Sequence, residues 1–165
     1  MSVAVICPGS FDPVTVGHLD VFERAAARFD RVIVAVLDNP GKQGTFSADE
    51  RCELIAAETT HLDNLELDRF EGLLIDYCRQ REVWLVCKGL RGSADIEYEL
   101  QMAQMNRRVG GVETIFVSAS PEHTFLSSSL IKEVVRGGGD VTGLVPERVA
   151  DALRERLTTA DRSGR

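Results

Sequence analysis

Pro8-Gly9-Ser10-Phe11-Asp12-Pro13-Val14-Thr15-Val16-Gly17-His18 follows a short apolar run at residues 3–7 and precedes a helical pattern at residues 19–29. The order is strand, tight loop, helix. Glycine and proline shape the backbone of the loop, which delivers Gly17 and His18 to a helix start. Such a start carries free N–H groups and the positive end of the helix dipole, so it attracts phosphate. A histidine there adds a side-chain donor to the same anion site. Read alone, the Gly-His pair is better explained as a tight connection with a surface histidine, and the rest of the chain has to change that.

Outward from this stretch the pattern repeats. Buried-strand runs occupy residues 31–37 (RVIVAVL), 83–88 (VWLVCK) and 112–117, with a weaker, alternating one at 64–68. Between them lie helical segments. The first sets Leu19, Phe22, Ala26 and Phe29 on one face. The second opens on a capping box, Ser47-Ala48-Asp49-Glu50, and runs to about residue 60. Others cover 72–81, a stretch from Ser93 or Asp95 carrying Ile96, Leu100, Ala103 and Met105, then 127–135 and 146–157. Alternating strands and helices predict an α/β fold. We expect a Rossmann-like, doubly wound, five-stranded parallel sheet with helices on both faces, as a single domain over residues 1–158. A polar, disordered tail is expected at 159–165, and Trp84 reads as core. In such a sheet, right-handed crossovers put the C-terminal strand ends on one edge, where ligands bind at the switch in strand order.

Composition limits the function. The 165 residues are 44% apolar and 27% charged, as in an ordinary globular domain, and the formal charge is −7. A broad basic face for nucleic acid is excluded, although a few convergent cations still suffice for a nucleotide. No apolar run nears the ~20 residues that span a bilayer. The first residues lack the positive region of a secretory signal, so a cytoplasmic location is expected. Cys7, Cys52, Cys78 and Cys87 have no metal-type spacing and read as reduced thiols.

Neither GxGxxG nor GxxxxGK[ST] is present. Instead, polar residues gather after strand ends: Ser10 and His18, then Lys42, then Lys88 and Arg91 with Asp95 and Glu99 behind them, then His123, Thr124 and Ser127-Ser128-Ser129. The topology sends all of them to one edge. Each has a plainer reading. Lys42 fits a solvated loop lysine, Arg91 a turn residue, and Glu99 a solvated helix face. The three serines fit a helix cap, and Lys132 and Arg136 fit surface cations. Lys88 at the end of an apolar strand is harder to read as structural. His61 reads as exposed and idle.

PGSFDPVTVGH together with the later SSSLIKE resembles the HxGH-type nucleotidyltransferase superfamily, here in a TxGH form at Thr15–His18. KGLRGSADIEYELQMAQMNR at 88–107, with Lys42, resembles the bacterial phosphopantetheine adenylyltransferase family, and the resemblance spans residues 3–157. It implies transfer of AMP from Mg-ATP to 4′-phosphopantetheine, giving dephospho-CoA and pyrophosphate, in a homo-oligomer, a hexamer in the family. By position it implies that Ser10, Lys42, Leu74 and Lys88 contact phosphopantetheine. Ser10, Phe11, His18, Gly89, Leu90, Arg91, Glu99 and the segment His123, Thr124, Phe125, Leu126, Ser127, Ser128 and Ser129 would contact ATP. His18, Lys42, Ser10 and Arg91 would be catalytic, Mg²⁺ would be bound through ATP without protein side chains, and CoA is a further candidate ligand. Position 10 is often Thr in the family, and position 88 often Arg; Lys88 keeps the charge but loses the bidentate geometry. Two other readings stand beside this one: a different adenylyl- or cytidylyltransferase on the same scaffold, and a non-catalytic nucleotide sensor.

Overall fold

Five strands lie side by side and all pair in parallel: β1 (Ala4–Gly9), β2 (Arg31–Leu37), β3 (Leu65–Phe70), β4 (Leu85–Leu90) and β5 (Glu113–Ser118), in the order β3-β2-β1-β4-β5. This computed structural model describes residues 2–162. The helices are α1 (Val16–Ala26), α2 (Ala48–Glu58), α3 (Leu74–Arg81), α4 (Ser93–Gly110), α5 (Ser128–Arg136) and α6 (Glu147–Arg162), with a single 3-10 turn at Pro121–His123. The predicted doubly wound parallel sheet is therefore the fold observed. The last three positions of the tail expected over 159–165 lie outside the described residues.

The sheet is buried on both faces, which is why its strands read as unbroken apolar runs. Along β2, Val32, Val34 and Val36 join a core with Phe22, Ile55, Ile131 and Leu153, whereas Ile33 and Ala35 join a second core with Ile75, Cys78 and Val112. Helix starts follow the chain's local chemistry. Ser47 and Glu50 form the expected reciprocal box, with Ser47 N–H donating to Glu50 Oε2 (2.7 Å) and Glu50 N–H to Ser47 Oγ (3.2 Å).

One expectation of burial is corrected, and one apolar face stays open. Trp84 is 47% exposed, because β4 begins one residue later and leaves the indole at the lip of the sheet. Helix α4 turns much of its apolar side outward: Ile96, Tyr98, Leu100, Met102, Met105 and Val109 are all exposed. The apolar pattern of α4 was legible; that much of it stays uncovered within one chain was not.

Leu153 on α6 is fully buried in the larger core. Leu153→Ala should lower unfolding free energy by about 2–5 kcal/mol through lost transfer energy and the cavity left behind. Denaturant unfolding with an unchanged m-value checks this.

Candidate active site

The strand order reverses between β1 and β4, and a cavity of about 380 Å³ opens beyond their C-terminal ends. Its walls come from separate elements. The end of β1 and the following loop give Gly9, Ser10 and Phe11; the start of α1 gives Thr15, Gly17 and His18; the end of β4 gives Lys88 and Gly89. Arg91, Glu99 from α4, His123 from the 3-10 turn, and Leu126 close it. Cys7 and Cys87 line its floor from neighbouring strands. The neighbouring Cys87 thiol together with burial pushes the Cys7 thiol well up.

The glycines here are requirements of packing. A Cβ on Gly9 would stand 2.7 Å from the Phe11 ring, and one on Gly89 would stand 2.9 Å from Val21 Cγ2. Phe11 has little room to yield. It is buried, sits in the left-handed region at φ 48°, and meets His18 (5.1 Å) and Phe22 (5.2 Å) edge to face. Packing on two rings holds a backbone conformation that costs a bulky residue about 1–3 kcal/mol.

His18 is set by its own helix cap. Buried Thr15 is the N-cap of α1, and His18 completes the reciprocal box in place of the usual Glu or Gln. Thr15 N–H donates to His18 Nδ1 at 3.0 Å. A main-chain amide can only donate, so Nδ1 carries a lone pair, and the neutral ring bears its proton on Nε2. Burial, helped by the Arg91 charge, lowers the His18 pKa to about 4. At neutral pH the ring is thus an uncharged donor with one N–H to offer, and protonating Nδ1 would set two donors against each other.

The cations are held in waiting. Lys88 Nζ donates to Glu99 Oε2 at 2.7 Å, and Arg91 donates to the Leu126 carbonyl and pairs with Asp95 at 3.4 Å. Ser10 and Lys88 also line a second, largely apolar cavity of about 450 Å³ with Leu74, Leu73, Met102, Met105 and Asn106. Arg91, Thr124, Phe125, Leu126 and Ser127 line a third, smaller hollow. Leu90 closes β4, its carbonyl accepting from Ala119 N–H.

Several expected residues stand apart. Lys42 lies on an exposed loop, with its N–H on the Asn39 carbonyl (3.0 Å), and lines none of these three cavities. Ser127 caps α5 by accepting from Leu130 N–H, Ser128 Oγ donates to the Pro13 carbonyl at 2.7 Å, and Ser129 is exposed. Lys132, which fitted a surface cation, is largely buried and pairs with Asp12 at 3.5 Å. His61 is exposed beside Glu23.

Asp12, Arg51 and the Thr15–His18 bond were missed in the sequence. Asp12 accepts from Thr45 N–H (2.8 Å) and Phe46 N–H (2.9 Å), so it ties the first loop to the Lys42 loop. The one carboxylate of the motif, set between Phe11 and Pro13, was the available signal. Arg51 sits on a helix whose sequence gave none.

A neutral ring N–H, two cations and open main chain at a switch point are the groups that phosphates need. With the family match that follows, they mark a nucleotidyltransferase. Residues 6–134 match the cytidylyltransferase-like family, and the chain belongs to it. A solved structure from Vibrio parahaemolyticus, provisionally named a nicotinate-nucleotide adenylyltransferase, aligns with a TM-score of 0.62 at 17% identity, over 93% of this chain and 99% of that one. At that identity the likeness speaks for the fold.

An unfolded histidine titrates near 6.5, so between there and about 4 the unfolded chain binds the extra proton. Stability linked to His18 is present above pH 6.5 and lost as pH falls toward 4. NMR of the His18 ring should show it neutral with Nε2 protonated until about pH 4. An Nδ1-protonated ring, or a midpoint at the ordinary value, would contradict this account.

Proposed function

We propose that the protein transfers the adenylyl group of ATP to 4′-phosphopantetheine, releasing pyrophosphate and dephospho-CoA. The observation that carries this reading is the pair of adjoining cavities that share Pro8, Gly9, Ser10 and Lys88. One is mixed in character, and its His18, Lys88, Arg91 and open main chain suit a nucleotide's phosphates. The other is lined by Leu73, Leu74, Met102, Met105 and Val109, and suits a long, weakly polar arm whose phosphate ends at the shared wall. The KGLR…EYE…MN block supports the same acceptor.

The acceptor phosphate needs no protein base, because a phosphate monoester with a second pKa of about 6 is already largely dianionic at neutral pH. Its oxygen forms the new bond to the ATP α-phosphorus as the bond to the β-phosphate oxygen breaks and pyrophosphate leaves. The chain positions two anions in line and neutralises developing charge. Ser10 and Lys88 hold the acceptor phosphate at the shared wall, Lys88 exchanging Glu99 for it. His18 Nε2–H donates to the α-phosphate. Arg91 and the Ser127 end of α5 take the departing phosphates, and Lys42 reaches over from its loop. The donor set facing the cavity is cationic or neutral apart from Glu99, which Lys88 already engages. It fits Mg²⁺ carried in on the phosphates, where the ion would share their charge.

Pyrophosphate release from ATP should depend on 4′-phosphopantetheine and not on nicotinate mononucleotide or other acceptors in a panel; ATP left intact with 4′-phosphopantetheine present would refute the assignment. His18→Ala should lower kcat by roughly 10²–10³ with little change in KM, since the donor is aimed at charge that develops in the transition state. A folded variant within about threefold of wild type would remove His18 from the mechanism.

The assembly follows the same reading. Ile96, Tyr98 and Leu100 leave apolar surface open on α4, clear of the acceptor cavity, and we assign it to contact between copies in a homo-oligomer, a hexamer by the family resemblance. Sedimentation should show a multiple of the 18.2 kDa chain; a monomer at every concentration would overturn this.

A further inference from the structure

Arg51 is buried, yet its bonds end on main-chain carbonyls. Nη1 donates to Ser10 O (2.6 Å) and Leu37 O (2.9 Å), and Nε to Phe46 O (3.1 Å) and Ser47 O (3.2 Å). Those carbonyls belong to the loop after β1, the end of β2, and the end of the Lys42 loop. Ser10 and Leu37 both line the apolar cavity. One guanidinium therefore joins two backbone segments that line the acceptor cavity to the loop that carries Lys42. The same loop end is gripped from two other directions: Asp12 accepts the Thr45 and Phe46 amides, and Arg156 of α6 donates to Thr45 O at 2.9 Å.

Removing a charge from water is costly unless its donors are satisfied. A planar fork with several fixed donors serves carbonyls arriving from different directions; a lysine ammonium, a point charge on a flexible stem, does not. Ser10 is shared between the two cavities, but the groups that face ATP alone do not need this joint. His18 is fixed by Thr15 at its own helix start, and Lys88 and Gly89 by β4.

We propose that Arg51 is a positioning residue that sets the distance between Ser10 and the Lys42 loop, and with it the placement of the acceptor. This rests on the acceptor reading above, but the local part does not depend on which acceptor is used.

The test compares wild type, Arg51→Met and Arg51→Lys, with Arg51→Lys carrying the reading if Arg51→Met does not fold. Misplacement on the scale of 1 Å predicts kcat/KM for 4′-phosphopantetheine down by roughly 10²-fold, with the KM for ATP held within about threefold. Hydrogen exchange should quicken in the peptide covering 38–46 and stay unchanged in the one covering the start of α1. Arg51→Lys should restore neither. Equal loss toward both substrates, unchanged exchange at 38–46, or full recovery in Arg51→Lys would each overturn the proposal. If wild type does not use 4′-phosphopantetheine, the acceptor reading fails and the exchange measurement alone decides Arg51.

Discussion

The pairing of β1 with β4 is the constraint on which the site depends. Strands β2 and β3 build outward from one side of β1, and β4 and β5 from the other. Loops leaving β1 and β4 therefore part in opposite directions and open a cleft that no side chain had to carve. The register Ile6 to Val86 then sets the depth of its floor, where Cys7 and Cys87 lie next to each other. Small residues are forced there by contact: Gly9 under the Phe11 ring and Gly89 against Val21. The backbone thus reaches the cavity directly, and ligand phosphates meet amides as well as side chains.

Much of the polar chemistry at this cleft is engaged internally before a ligand arrives. Lys88 rests on Glu99, Arg91 on the Leu126 carbonyl and Asp95, and His18 Nδ1 on Thr15. The engagements differ in kind. The Thr15 bond uses the nitrogen that faces away from chemistry, so it orients the ring and leaves Nε2 free. The bonds of Lys88 and Arg91 use the donors a phosphate would want, so on the proposed reading a bound phosphate would displace them. That arrangement keeps these half-buried cations paired within the chain, and an entering anion would exchange partners rather than merely add a charge.

The sheet, its order of elements and the cap of α2 were legible because each depends on neighbours in sequence: apolar runs, a Ser-x-x-Glu box, glycine-rich exits. The convergence of Ser10, His18, Lys88 and Arg91 followed from topology alone. What stayed hidden depends on distant pairing. Arg51 reads as one more charged residue of an amphipathic helix until the carbonyls of Ser10 and Leu37 are brought to it. Lys132 reads as solvated until Asp12 meets it across 120 residues. Trp84 looked like core because an apolar run contained it, but where a strand begins is set by its partners, and β4 starts at Leu85. The exposed side of α4 is the inverse case. Its apolar pattern is genuine, and a single chain does not provide the surface to cover it.

An acidic chain binding polyanions is a question of distance. With a formal charge of −7 the far field is unfavourable. Exposed charges beyond a Debye length of about 8 Å at physiological salt are largely screened, however, so the local set decides. Many of the carboxylates are spent on the surface against arginines: Asp49 with Arg69, Asp76 with Arg79, Glu113 with Arg107, Asp151 with Arg154, Glu50 with Arg156. The lining of the main cavity holds Lys88, Arg91 and the donors of His18 and the main chain against the single carboxylate of Glu99. A neutral His18 belongs to the same logic. A third fixed cation beside Arg91 would have to be kept charged against burial, whereas an uncharged Nε2–H needs no such support, and in the role proposed for it its donation would gain strength only as charge builds on the phosphate oxygen.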